Sequence, residues 1–156
     1  MKTDPRQEHR WLQQFLGDWT IDGEAAGAPG APPEKFRGSE RVRAFGDLWI
    51  VGEGEMGPEG EPGRTLLALG FDARKGRFTG SFVATPMDAL WVYDGALDPS
   101  GKALALECEG PDMTGAGTAK YRDTHRFESA DHRVLTSELL GPDGKWVTFM
   151  TAHYRR

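Results

Sequence analysis

From residue 18 onward, apolar and polar positions alternate with a period of two in about ten runs, each closed by Gly, Pro, Asp or Ser. The runs fall at 18–25, 35–45, 48–55, 65–71, 77–85, 90–97, 102–109, 120–128, 133–140 and 146–155. Their connections alternate in length. The odd-numbered ones, 26–34, 56–63, 86–89 and 110–119, are mostly long and irregular, whereas 46–47, 72–76, 98–101 and 130–132 are tight. With antiparallel neighbours, odd connections gather at one end and even ones at the other. The pattern predicts an all-β domain: a single up-and-down barrel of about ten antiparallel strands, with a loop-rich mouth and a tight floor. Ten strands about 4.8 Å apart and tilted near 40–45° give a radius on the order of 10 Å. Side chains fill that width less completely than in an eight-stranded barrel, so room for one small ligand or several waters is expected.

Ahead of the first strand, Trp11, Leu12, Phe15 and Leu16 form one apolar stripe at helical spacing. Asp4 can cap, Pro5 suits the first helical position, Gln7 sits where a capping-box partner would, and Gly17 is a natural stop. The expectation is a helix over about 5–16 closing the floor of a barrel over about 18–156, all within one domain, 1–156. The 27–33 stretch, rich in Gly, Ala and Pro, reads as a loop inside that domain.

Alternation also assigns faces. Lys35, Arg37, Ser39, Arg41 and Arg43 form a solvated stripe with cross-strand acidic partners, which turns Glu40 inward. Tyr121, Asp123, His125 and Phe127 face the interior, as do Trp91, Tyr93, Gly95 and Leu97. A single bulge would reverse the remainder of a strand.

Composition narrows the function classes. The chain has 156 residues, with 21 Gly and 10 Pro that fit many turns. A net charge of −5 repels phosphate backbones and argues against a nucleic-acid partner. No apolar run reaches a membrane span, and the first residues lack the apolar core of a signal peptide, so a cytoplasmic location is expected. Cys108 is the one cysteine, which excludes an intrachain disulfide and a cysteine-based metal site. It alternates with Leu104 and Leu106 and reads as a small buried apolar residue. There is no Gly-rich phosphate loop, nucleophile elbow or useful pair of metal ligands. No cofactor or metal is expected. A closed barrel lacks free edges, so a homodimer would use its walls or rims.

Two constellations carry candidate chemistry. Glu40, Asp123 and His125 are ionisable groups expected to face the interior, where each needs a partner or a shifted pKa. They read either as a network fixing strand register, as contacts to a polar ligand, or as an acid–base set. Met56, Met87 and Met113 fall in long loops of one rim, with Trp91 just inside. Flexible thioethers suit an adaptable apolar entrance, although loop packing or a subunit contact accounts for them equally simply.

The helix, the Gly17-Asp18-Trp19 opening and the Tyr154-Arg155-Arg156 tail resemble the calycin superfamily, which includes lipocalins and fatty-acid-binding proteins. That resemblance implies a tryptophan at the barrel floor, Trp19, under a basic side chain of the last strand. Parity agrees that Trp19 neighbours Arg155 or Arg156, with Arg156 the preferred partner. The segments His9-Arg-Trp-Leu-Gln, Leu48-Trp-Ile-Val-Gly-Glu-Gly, Leu69-Gly-Phe-Asp and Leu90-Trp-Val-Tyr-Asp-Gly also resemble a large bacterial family known as domain of unknown function 1579, which implies no activity. Nitrobindins are similar in strand count and bind haem through a histidine near the C-terminus, where this chain has His153. If Arg156 covers Trp19, Tyr154 points in and His153 points out, which disfavours haem; if Arg155 does so, His153 points in. The expected function is binding of a small, mainly apolar ligand in the barrel by Trp91, Tyr93, Tyr121, His125, Met56, Met87 and Met113. The alternative is an enzyme using Glu40, Asp123 and His125.

Overall fold

A computed structural model describes residues 1–156. Ten strands follow one another as β1 (Gly17–Ala25), β2 (Glu34–Phe45), β3 (Trp49–Gly57), β4 (Gly63–Asp72), β5 (Arg77–Ala84), β6 (Trp91–Leu97), β7 (Ala103–Pro111), β8 (Thr118–Ser129), β9 (His132–Leu140) and β10 (Trp146–Arg155). Every sequence-adjacent pair is antiparallel, and β1 pairs with both β2 and β10, which closes the barrel. The meander needs no crossover and leaves no free edge.

The helix is shorter than its apolar stripe predicts. A helical turn, α1 (Gln7–Trp11), tightens into a 3₁₀ turn, Leu12–Phe15. Asp4 does not cap it. Arg6 is the N-cap residue, and its backbone N–H donates to His9 Nδ1 at 2.9 Å. His9 Nε2 therefore carries the proton and donates to the Phe71 carbonyl at 3.0 Å, which ties the helix to β4. Trp11 Nε1 donates to the Gly101 carbonyl at 2.8 Å. These bonds anchor the helix across the tight-turn end. The tighter last turn delivers Leu12 and Phe15 into the barrel, where both are fully buried.

The core occupies the floor half. Phe15 meets Phe127 edge-on at 5.0 Å, Phe71 meets Phe78 at 5.0 Å, and Ile21, Leu69, Leu104 and Leu106 fill the spaces between. Outside, the basic stripe of β2 finds acidic neighbours: Arg37 with Asp22, Arg41 with Asp18 and Arg43 with Glu53, at 2.9–3.3 Å. All six side chains are largely exposed, so these pairs mark register more than they add stability.

Two register shifts interrupt simple alternation, and the one in β8, between Phe127 and Ser129, falls beside the tight β8–β9 turn. The β9–β10 register shifts between Thr148 and Met150, so Phe149 and Met150 both line the interior near the mouth.

Candidate functional site

The floor is a sealed layer of two guanidiniums and aromatic rings. Trp19 donates its indole N–H to the Phe15 carbonyl at 2.8 Å. The Arg156 guanidinium lies 4.2 Å from the Trp19 ring, the preferred one of the two contacts that parity left open. Its nitrogens also donate to the carbonyls of Leu16 and Ala130. Gly17 makes room: a Cβ there would come 3.2 Å from Arg156 Nη1, and the glycine's φ of +133° disfavours other residues.

Sequence reasoning missed the second guanidinium. Arg133, fully buried, donates to Glu40 at 2.5 Å and stacks on Tyr154 at 4.0 Å, Trp19 at 4.6 Å and Phe15 at 4.9 Å. Its Nε and Nη1 meet rings and no acceptor. The signal was available, because strand nine alternates Arg133, Leu135, Ser137 and Leu139 on one face. Glu40 is thus committed to Arg133 and lies outside the cavity lining, whereas Asp123 and His125 belong to it.

Above this layer a cavity of about 890 Å³ opens at the mouth between residues 85–89 and 111–113. The inner face of β8 measures depth: Phe127 lies in the core, His125 at the cavity base, Asp123 one step higher and Tyr121 near the rim. His125 is buried, rests on the Phe15 ring at 5.3 Å and leaves Nδ1 without a hydrogen-bond partner. Burial, aided by the charge of Arg133, holds its pKa well below the usual histidine value, so the imidazole is neutral. Asp123 accepts hydrogen bonds from Tyr93 at 2.5 Å and Ser137 at 2.7 Å. Desolvation nonetheless raises its pKa, and the two hydroxyls only partly offset that rise. Burial and the nearby Asp123 push Cys108 up to about 12, which keeps this cavity-facing residue a thiol.

Nearer the rim, Trp91 meets Tyr121 edge-on at 5.1 Å, and the Tyr121 hydroxyl donates to the Pro111 carbonyl at 2.6 Å. The Trp91 ring lies against Gly110, where a Cβ would come within 2.2 Å of Cζ3. Its indole N–H is buried without a partner. Met56, Met87 and Met113 all line the cavity, but Met56 belongs to the end of β3 and not to a loop. Leu67, Phe82, Leu135, Ser137, Phe149 and Met150 complete the wall and were not singled out from sequence. The bulge that turns Phe149 inward leaves no mark on the alternation.

His153 faces the outer wall, where its Nδ1 is 2.9 Å from His132 Nε2 and the two rings stack. Haem held inside the barrel through His153 does not fit that orientation. No group of three or more His, Cys, Asp or Glu is arranged to hold a metal ion, and no helix is long and apolar enough to cross a membrane.

With this geometry in hand, comparison with known proteins places the chain. It belongs to the family described as "Protein of unknown function (DUF1579)", whose model matches residues 4–156. Among solved structures it is similar to Rv2717c from M. tuberculosis, with 14% identity over 98% of this chain and 99% of that one, and a TM-score of 0.71. It is also similar to the S-type phycobiliprotein lyase CPES from Guillardia theta, with 18% identity over 97% and 98% of the two chains, and a TM-score of 0.60. At these identities the likeness is one of fold. No curated protein matches significantly.

Proposed function

We propose that this member of the DUF1579 family reversibly binds a small, mainly apolar molecule inside its barrel, admitted through the methionine-bearing mouth. One observation carries the reading: an open cavity of about 890 Å³ in which 14 of 24 lining residues are hydrophobic. That is the size and character of a small-molecule site, with a few convergent polar groups to orient a guest. The floor layer and helix close the other end, so entry and exit use the same rim. Trp91, Tyr121 and Phe149 supply rigid aromatic wall, while Met56, Met87 and Met113 supply adaptable edges. The similarity to a phycobiliprotein lyase fits a barrel that handles small molecules and supports no particular ligand.

Tryptophan fluorescence tests this directly, because Trp91 lines the cavity. A panel of aromatic and aliphatic compounds should include some that quench it saturably. Trp91→Phe should weaken the signal while calorimetry still reports binding. Leu135→Trp, which fills the cavity base, should abolish binding without unfolding the barrel. A flat response across a broad panel defeats the proposal.

A further inference from the structure

The charges around the cavity go beyond its shape and, granted the binding reading above, select among ligands. Asp88, Asp112 and Asp123 line it, and neither Lys nor Arg does. The buried cation below, Arg133, is outside the lining and already holds Glu40 beneath three rings. His125 contributes no positive charge, since burial keeps its ring neutral. A ligand carboxylate entering this space would lose water without gaining a counter-charge and would lie beside Asp123. Both desolvation and Coulomb repulsion oppose it.

We infer that the ligand carries a protonated nitrogen, as an amine or cationic heterocycle, placed against Asp123 with its apolar body directed toward the mouth. The carboxylate is already oriented by the Tyr93 and Ser137 hydroxyls on separate oxygens, which fixes its plane and leaves lone pairs for an N–H donor. The His125 imidazole, one layer below, is uncharged and sets no cation against that nitrogen. The aromatic wall of Trp91, Tyr93 and Tyr121 suits a cation more than an anion. Binding would place a counter-charge beside a carboxylate that no Lys or Arg of the cavity lining neutralises.

The test is a matched series that shares one apolar body: phenylhexylamine, phenylhexanol and phenylhexanoate, titrated calorimetrically into the intact protein at neutral pH. The amine should bind tightest, about tenfold or more over the alcohol, the size of one charge-assisted hydrogen bond, with the acid weakest. Asp123→Asn should bring amine and alcohol to similar affinity, and far-UV circular dichroism would verify its fold. Equal binding of all three, or preference for the acid or alcohol, overturns the inference and leaves the binding reading standing. An amine preference undiminished in folded Asp123→Asn overturns the assignment to that carboxylate. Failure of all three across the accessible range, together with a flat wider panel, removes the binding reading and this inference with it. The wild-type series decides the charge preference even if the variant does not fold.

Discussion

Replacing Glu40 by an apolar residue would leave the Arg133 guanidinium inside the barrel among rings, with no acceptor for its nitrogens. Stripping one partner from a buried ion pair costs about 3–5 kcal/mol, whereas replacing both by apolar residues of similar volume is often neutral. Glu40→Leu should therefore lower urea stability by about that amount, and the same change combined with Arg133→Met should recover most of it. A double variant as unstable as the single one would show that the ring stack, and not charge pairing, holds the floor. His125 gives a pH signature. Its folded pKa is depressed, so below the ordinary value of about 6.5 the unfolded chain gains a proton that the barrel refuses. Stability should fall by about 1.4 kcal/mol per pH unit below that point until the folded pKa is reached. His125→Asn should flatten this slope in urea titrations across the acid range. Both residues faced inward by simple alternation, but their partners were not legible. Period two gives a side chain's face and says nothing of which strand meets it, as β9 meets β2 from three places round the barrel.

At the scale of elements, the strands were readable to within two residues because Gly, Pro and Asp punctuate them and both faces obey one rule. The helix was not, since its apolar stripe continues through the 3₁₀ turn and its cap depends on His9, a residue with no strong capping preference. Two variants probe this floor. Phe15→Ala should cost about 3–5 kcal/mol in chemical denaturation, the range for deleting a buried aromatic. Gly17→Ala should cost about 1–3 kcal/mol, because a φ of +133° is hostile to side chains and the new methyl would press on Arg156. If that substitution proves neutral, Arg156 can leave Trp19 freely and the lock between β1 and β10 is weaker than its contacts suggest.

As a whole molecule, the barrel is divided along its axis. The floor half holds the helix, tight turns, aromatic core and both stacked guanidiniums, while the mouth half surrounds empty space with longer loops. Hydrogen exchange should report that division: amides near Ile21, Leu69 and Leu104 exchanging only with global unfolding, and those at 85–90 and 112–117 by local opening. Uniform protection would argue against the rim as an entrance. The alternation of loop lengths made this polarity visible in the sequence. The size of the cavity was not, because it depends on one register shift in β10 and on how far each ring leans inward.

Gly110 turns that leaning into a control point. Its missing side chain is the recess in which the Trp91 indole lies, so one methyl group at 110 would tip the ring into the passage. Gly110→Ala would act as a doorstop set half across the threshold. Guests should then arrive and depart more slowly in like proportion, while those already inside meet the same chamber.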